Sequence, residues 1–350
     1  MSFYKISAFL QSFLDPRRAW LLAGLLVAAG CFPVHAQTSG TSHQAVRLNL
    51  VAVDSAGRPV PDLTVSDLAV FDNGSPQQIV SLRLNQTDRP RPLVLLFDLL
   101  NADESSRGAV WNSIKTSLAH LSNSTAGGPL YLYLLAEDGS LYPVHALPGG
   151  PAATQTADAS WAKDIGPLLD AAMQKATQLR PQDFRAVSPI ALQSRFKATY
   201  GALDNMRVLM ARLPGPKELL WVTYGIPSAI HLADRTWFDG VPPLRQLGAQ
   251  FVRSETTVYT ADPGINLQVG TLNRDSLDIL TGVTGGHVYS TIDLNRALAQ
   301  IEAEAHTNYS LEYQPSANNW DGKYHKLRVT AARKGVHLRT EAGYFAAARS

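Results

Sequence analysis

The sequence predicts an α/β protein, an open and mostly parallel sheet flanked at both ends by short antiparallel β segments. Three observations predict it. The runs LVLLF at 93–97 and LLWV at 219–222 are continuously apolar, as in strands buried on both faces of a parallel sheet. Stretches of helical period alternate with those runs, the order that builds parallel sheets. Before about residue 88 and after Asn308 the apolar period falls to two, the mark of half-buried strands.

The chain opens with a leader. Arg17 and Arg18 precede an apolar run at 19–34 (AWLLAGLLVAAGCFPV), and Val34-His35-Ala36 offers small residues at the exit. A basic lead, a short apolar core and a small-residue exit form the secretory pattern, so residues 1–36 are read as a signal peptide. The run is shorter than the roughly 20 residues that a membrane-spanning helix needs. Ala28-Ala29-Gly30-Cys31 resembles a lipoprotein box, so cleavage after Ala36 and lipidation at Cys31 are both open. Either route exports the protein: periplasmic, outer-membrane-associated or secreted. The only membrane contact expected is through a lipid on Cys31.

Residues 37–44 read as a polar linker and 45–88 as an N-terminal β segment. Val46, Leu48 and Leu50 alternate with polar residues, and Asn73-Gly74 supplies the positive φ angles of a tight hairpin. The α/β part spans 92–305. After LVLLF, a helical stretch sets Val110, Ile114, Leu118 and Leu121 on one side. Strands at 130–135 and 141–147 join through Asp138-Gly139. Helices follow at 161–179 and along the face Leu192, Phe196, Leu203, Met206, Met210 and Leu213, ended by Pro214-Gly215-Pro216. Then come a strand at 219–222, a helix at 244–252 and a strand at 256–260. A helix at 277–283, a strand at 287–290 and a helix at 294–305 complete this part. From 306 to 346 the period is again two: Tyr309, Leu311 and Tyr313 alternate, and strands at 323–330 and 336–340 follow. The two β ends are expected to pack together as one small β-sandwich.

Composition excludes several functions. Cys31 is the only cysteine, so the mature chain has no thiol for a disulfide, a thiolate metal site or a nucleophile. The net charge of +2 comes from scattered Lys and Arg, without the basic stripe that nucleic acid requires. The nine histidines form no His-x-x-x-His or His-Glu-x-x-His pair. There is no Gly-x-Ser-x-Gly elbow and no phosphate loop.

The blocks at 46–84 (VRLNLVAVDSAGRPVPDLTVSDLAVFDNGSPQQIVSLRL) and 93–101 (LVLLFDLLN) resemble the start of the bacterial "VWFA-related" family known from Acidobacteria. LDILTGVTGGHV at 277–288, NYSLEYQP, DGKYHKLRV and the closing Gly343-Tyr344 resemble its end. The resemblance implies a von Willebrand factor A-like, doubly wound sheet that binds a protein ligand. Many such domains bind protein ligands through a divalent metal at the carboxyl ends of the strands, held by an Asp-x-Ser-x-Ser run, a Thr in a later loop and a later Asp. Such oxygen ligands suit Mg²⁺ or Ca²⁺. Here Asp98 holds the first position, but Leu100 and Ala102 replace the serines and Tyr224 replaces the later Asp. Asp98 is the one metal ligand the resemblance leaves, so no cofactor is expected unless Mg²⁺ or Ca²⁺ binds a rebuilt site. Asn101, Asp103, Glu104 and Ser105 either supply oxygens to such a site or cap the next helix, whose free N–H groups favour them.

Asp262, in Asp262-Pro263-Gly264, lies on the expected ligand edge but is first of all a turn residue. Trp237 and Phe238, in a loop at 233–240, are either interface anchors or buried against the sheet. The expected function is an exported, non-enzymatic binding or adhesion module contacting an unknown protein through Asp98, Asn101, Asp103, Glu104, Tyr224 and Asp262. A structural scaffold of the cell envelope is the alternative. A hydrolase is the weakest reading, because no nucleophile–base pair is visible.

Overall fold

The computed structural model describes residues 45–86, 91–102, 108, 111–112, 114–118, 129–149, 165–177, 188–232, 234, 236–263, 271–290, 294–315 and 320–346. The leader, Cys31, the linker, Asp103, Glu104 and Ser105 lie outside these residues. Among the described residues no helix is long and apolar enough to cross a membrane.

The α/β layer holds one six-stranded sheet. Its strands in chain order are β4 (Leu93–Asp98), β5 (Leu130–Leu135), β6 (Leu141–His145), β7 (Lys217–Val222), β10 (Thr256–Asp262) and β11 (Val288–Ser290). Across the sheet they run β11-β10-β7-β4-β5-β6, all parallel except β6. From β4 the chain therefore builds outward to one side, then returns to lay β7 against the other flank of β4. Every residue of β5 and β7 is buried, the apolar runs at 130–135 and 219–222 and also Lys217 and Glu218 at the start of β7. β6 closes one edge, and Pro143 within it removes a ladder donor, as edge strands tolerate.

Helices cover both faces. On one lie α1 (helical at 108, 111–112 and 114–118), α2 (Ile165–Thr177) and α6 (Leu294–His306). They bury Trp111, Leu118, Leu169, Leu298 and Ile301 against Phe97, Leu132 and Tyr259. On the other lie α3 (Pro189–Met210), α4 (Val241–Arg253) and α5 (Thr271–Thr284), burying Met206, Phe251 and Leu280 against Leu96, Tyr133 and Trp221. Ser188 caps α3 by accepting from the Ala191 N–H at 3.2 Å, and Pro189 begins the helix where no N–H is needed.

The expected β-sandwich is corrected. The two ends of the chain interleave in a single seven-stranded antiparallel sheet, ordered β14-β1-β12-β3-β2-β13-β15. Its N-terminal strands are β1 (Val46–Val53), β2 (Leu68–Asp72) and β3 (Ser75–Gln86). Its C-terminal strands are β12 (Thr307–Gln314), β13 (Tyr324–Ala331), β14 (His337–Arg339) and β15 (Gly343–Phe345). β1 pairs with β12 so that Val46, Leu48 and Leu50 lie opposite Tyr313, Leu311 and Tyr309. All six face one core, and burying a side chain of this size stabilises by about 1.5–3 kcal/mol. The β2–β3 hairpin turns at Asn73 and Gly74, with φ of 47° and 84°.

A second correction concerns 233–240, expected to be a loop. Trp237–Asp239 forms β9, paired with β8 (Ala229–His231) as a small hairpin. Phe238 packs edge-on against Phe196 of α3, ring centroids 4.9 Å apart, while Trp237 is 66% exposed with His231 against its edge. The two adjacent aromatics thus part, Trp237 standing out and Phe238 half-buried against α3 rather than against the sheet.

Candidate functional site

Asp98 ends β4 and is the residue on which the strand-end cluster is built. Its neighbour in the ladder, Phe97, pairs with Val222, so the residue after each strand lies beside the other. Thr223 follows β7 and donates its hydroxyl to Asp98 Oδ2 at 2.7 Å. Asn101 closes a tight turn after the strand: its backbone N–H donates to Asp98 Oδ1 at 2.9 Å, and its Nδ2 donates to Oδ2 at 2.8 Å. The same amide nitrogen donates to Thr199 Oγ1 of α3 at 2.9 Å. Thr223 Oγ1 accepts in turn from the Gly225 N–H at 3.0 Å.

Asp98, Thr199 and Thr223 are almost completely buried. Burial pushes the Asp98 carboxyl above its ordinary range, and the hydrogen bonds from Asn101 and Thr223 pull it back down. The Asp98 carboxylate binds the turn after β4 and the loop after β7, and the Asn101 amide extends the network to the middle of α3. That loop is pinned from below by α5, where Ser276 Oγ accepts from the Ile226 N–H at 3.0 Å and donates to the Asn273 carbonyl at 2.6 Å. Gly225 is required at this approach. Its φ is +74°, and a Cβ there would lie 2.5 Å from the Asn273 carbonyl oxygen.

The arrangement does not fit a hard divalent cation. Such an ion needs several converging oxygens, and the two oxygens of Asp98 already accept three hydrogen bonds. Leu100 and Ala102 are both buried, Leu100 in the core beneath α3. Among the described residues no group of three or more His, Cys, Asp or Glu side chains could hold a metal.

The other residues singled out from sequence fall at different depths. Tyr224 is half-buried and packs on the core beneath α1, α2 and α6. Asp262 ends β10, half-buried, with Ser290 as its ladder partner. Asp103 and Glu104 lie outside the described residues. The cluster therefore joins Asp98 and Asn101, with Tyr224 next in sequence to Thr223. Thr199 and Ser276 escaped sequence reasoning. Thr199 had a signal, because it is the one polar residue on the α3 stripe between Phe196 and Leu203.

No protein-family model matches the sequence, and no curated protein matches it. Among solved structures the chain is similar to proximal thread matrix protein 1 of the mussel byssus, at 9% identity and a TM-score of 0.36. That match covers 65% of this chain and 49% of the other. It is similar to manganese-loaded Plasmodium vivax TRAP protein at 14% identity and a TM-score of 0.33, covering 75% and 97%. It is similar to the pilus adhesin SpaC of Lactobacillus rhamnosus GG at 8% identity and a TM-score of 0.37, covering 88% and 50%. The chain thus spans about half the length of the mussel protein and of SpaC. At scores this low the likenesses add nothing to the strand order seen in the chain itself.

Proposed function

We propose that the chain is an exported, non-enzymatic protein-binding or adhesion module on a doubly wound, von Willebrand factor A-like sheet of the VWFA-related type. The observation that carries this reading is the reversal of strand order at β4, which sets the loops after β4 and β7 side by side at the carboxyl ends. In open α/β sheets ligands bind at that switch point. The β8–β9 hairpin leaves the loop after β7 and holds Trp237 outward, a side chain of the type that anchors protein interfaces.

Two other readings are less well supported. A scaffold assembling through sheet edges would use β14 and β15, each three residues long and offering only a short ladder. For a hydrolase, an acid–His pair among the described residues is Asp72 and His325, 2.8 Å apart. Asp72 also accepts from the Tyr313 and Tyr344 hydroxyls inside the antiparallel sheet and is 1% exposed, away from any substrate.

The test is site-specific photo-crosslinking in the envelope fraction of the producing cell. A crosslinker at position 237 is compared with one at the exposed Lys334. A discrete protein adduct at 237 and none at 334 supports a strand-end binding surface. Equal labelling at the two positions, or none at 237, counts against it.

A further inference from the structure

We infer that the side-chain amide of Asn101 takes the place of the divalent cation, so that the strand-end cluster is a metal-free lock. The inference rests on the A-like reading only for where a cation would sit, between the residue ending β4 and the threonines that approach it. In this chain that position holds Asn101 Nδ2, 2.8 Å from Asp98 Oδ2 and 2.9 Å from Thr199 Oγ1. The third group on Asp98, the Thr223 hydroxyl, is a donor at 2.7 Å.

A cation and an NH₂ group meet the same electrostatic need. Each puts positive charge among oxygens, the ion in full and the amide as two polarised N–H bonds. The amide cannot be reversed without an ion. Its carbonyl oxygen would then face a carboxylate oxygen at 2.8 Å with nothing positive between them. The donor orientation satisfies Asp98, Thr199 and the amide together.

The arrangement ties together three segments, the turn after β4, α3 and the loop after β7. Residues 98 and 199 are bridged by a side chain that needs no ion concentration and no loading step. Partner binding at this edge is therefore independent of divalent cations and survives chelators. Metal-dependent recognition is replaced by contacts that the protein's own side chains make.

Thermal unfolding of the purified chain, in chelator and in millimolar Mg²⁺, Ca²⁺ or Mn²⁺, tests this. The wild-type midpoint is expected to be the same in all four. Asn101→Ala should lower it by several degrees, equally with and without metal. Asn101→Asp sets a second carboxylate beside Asp98; it should melt well below wild type in chelator and recover in Mn²⁺ or Mg²⁺. If Asn101→Asp folds only when refolded with metal, that too supports the inference. A wild-type midpoint that rises with metal and loses the rise in Asp98→Ala overturns it. So does an Asn101→Asp chain indifferent to metal while Asn101→Ala is destabilised. If Asn101→Ala leaves the midpoint unchanged, there is no lock at Asp98 and the inference fails, whereas the strand-end binding reading is decided separately by the crosslinking at position 237.

Discussion

Glu304, near the end of α6, forms an ion pair with Arg339 on β14, joining the α/β layer to the antiparallel sheet. The Tyr259 hydroxyl of β10 donates to the other oxygen of the same carboxylate at 3.1 Å. Nearby, the Ala342 N–H donates to the Gly282 carbonyl at 2.7 Å, and the Arg245 guanidinium lies over the Tyr324 ring at 5.2 Å. Polar contacts thus stitch the two layers together.

Arg339→Ala leaves Glu304 buried without its cation. Burial already pushes the Glu304 carboxyl up, and Arg339 pulls it back down. Losing one partner of a buried pair costs about 3–5 kcal/mol; because Arg339 is partly exposed, a loss of about 2–3 kcal/mol is expected in urea unfolding. A loss below about 0.5 kcal/mol, the range of ordinary surface changes, would show that the junction does not depend on the pair.

Stability should fall as pH rises from about 5 to 7.5. Burial pushes Glu341 up to about 7, against the pull of its own backbone N–H, the Thr340 hydroxyl and the Asn49 N–H. A carboxylate whose folded pKa is raised favours the protonated fold. Its contribution is full below the unfolded value of 4.5 and is lost as pH rises through about 7. Glu218, also pushed up to about 7 by burial, acts in the same direction. Glu341→Gln keeps an acceptor for Asn49 and should flatten the slope of melting temperature against pH. An unchanged slope would exclude Glu341 as its source.

Trp237→Ala and Phe238→Ala should separate binding from stability. Trp237 is mostly exposed, so its loss should change unfolding free energy by less than about 0.5 kcal/mol while abolishing the position-237 contact with a partner. Phe238 packs on Phe196, and an aromatic pair adds about 0.5–1.5 kcal/mol beyond area burial, so its loss should cost about 1–2 kcal/mol. Reversed effects on stability would mean that the hairpin presents its other face.

Gly225→Ala should destabilise the chain by about 2–4 kcal/mol and disturb the loop carrying Tyr224. It combines a positive φ with a backbone approach of 2.5 Å. The amide signals of Thr223 and Ile226 in an NMR spectrum should shift most. An unperturbed spectrum with wild-type stability would contradict the packing of this loop on α5.

The elements were legible because each writes its own pattern into consecutive residues. LVLLF at 93–97 reads as a buried strand since both faces of β4 meet helices, and Tyr309, Leu311 and Tyr313 alternate since one face of β12 is core. The β8–β9 hairpin was not legible. Two strands of three residues are too short for alternation to stand out from a loop. The cluster was half legible: Asp98 and Asn101 lie in one turn, but Thr199 bonds Asn101 across 98 residues.

By itself the sequence determined the longer helices and strands, which side of each is apolar, and that Cys31 is the one cysteine. Only the tertiary structure decided that β1 would pair with β12 more than 250 residues away, merging both ends into one sheet. It also decided that the Asp98 oxygens would be taken by Asn101 and Thr223, and that Trp237 would face out while Phe238 faces in. Periodicity records only that a face is to be buried. What covers that face depends on which surfaces meet when the chain closes, and so does whether a buried carboxylate meets an ion or an amide.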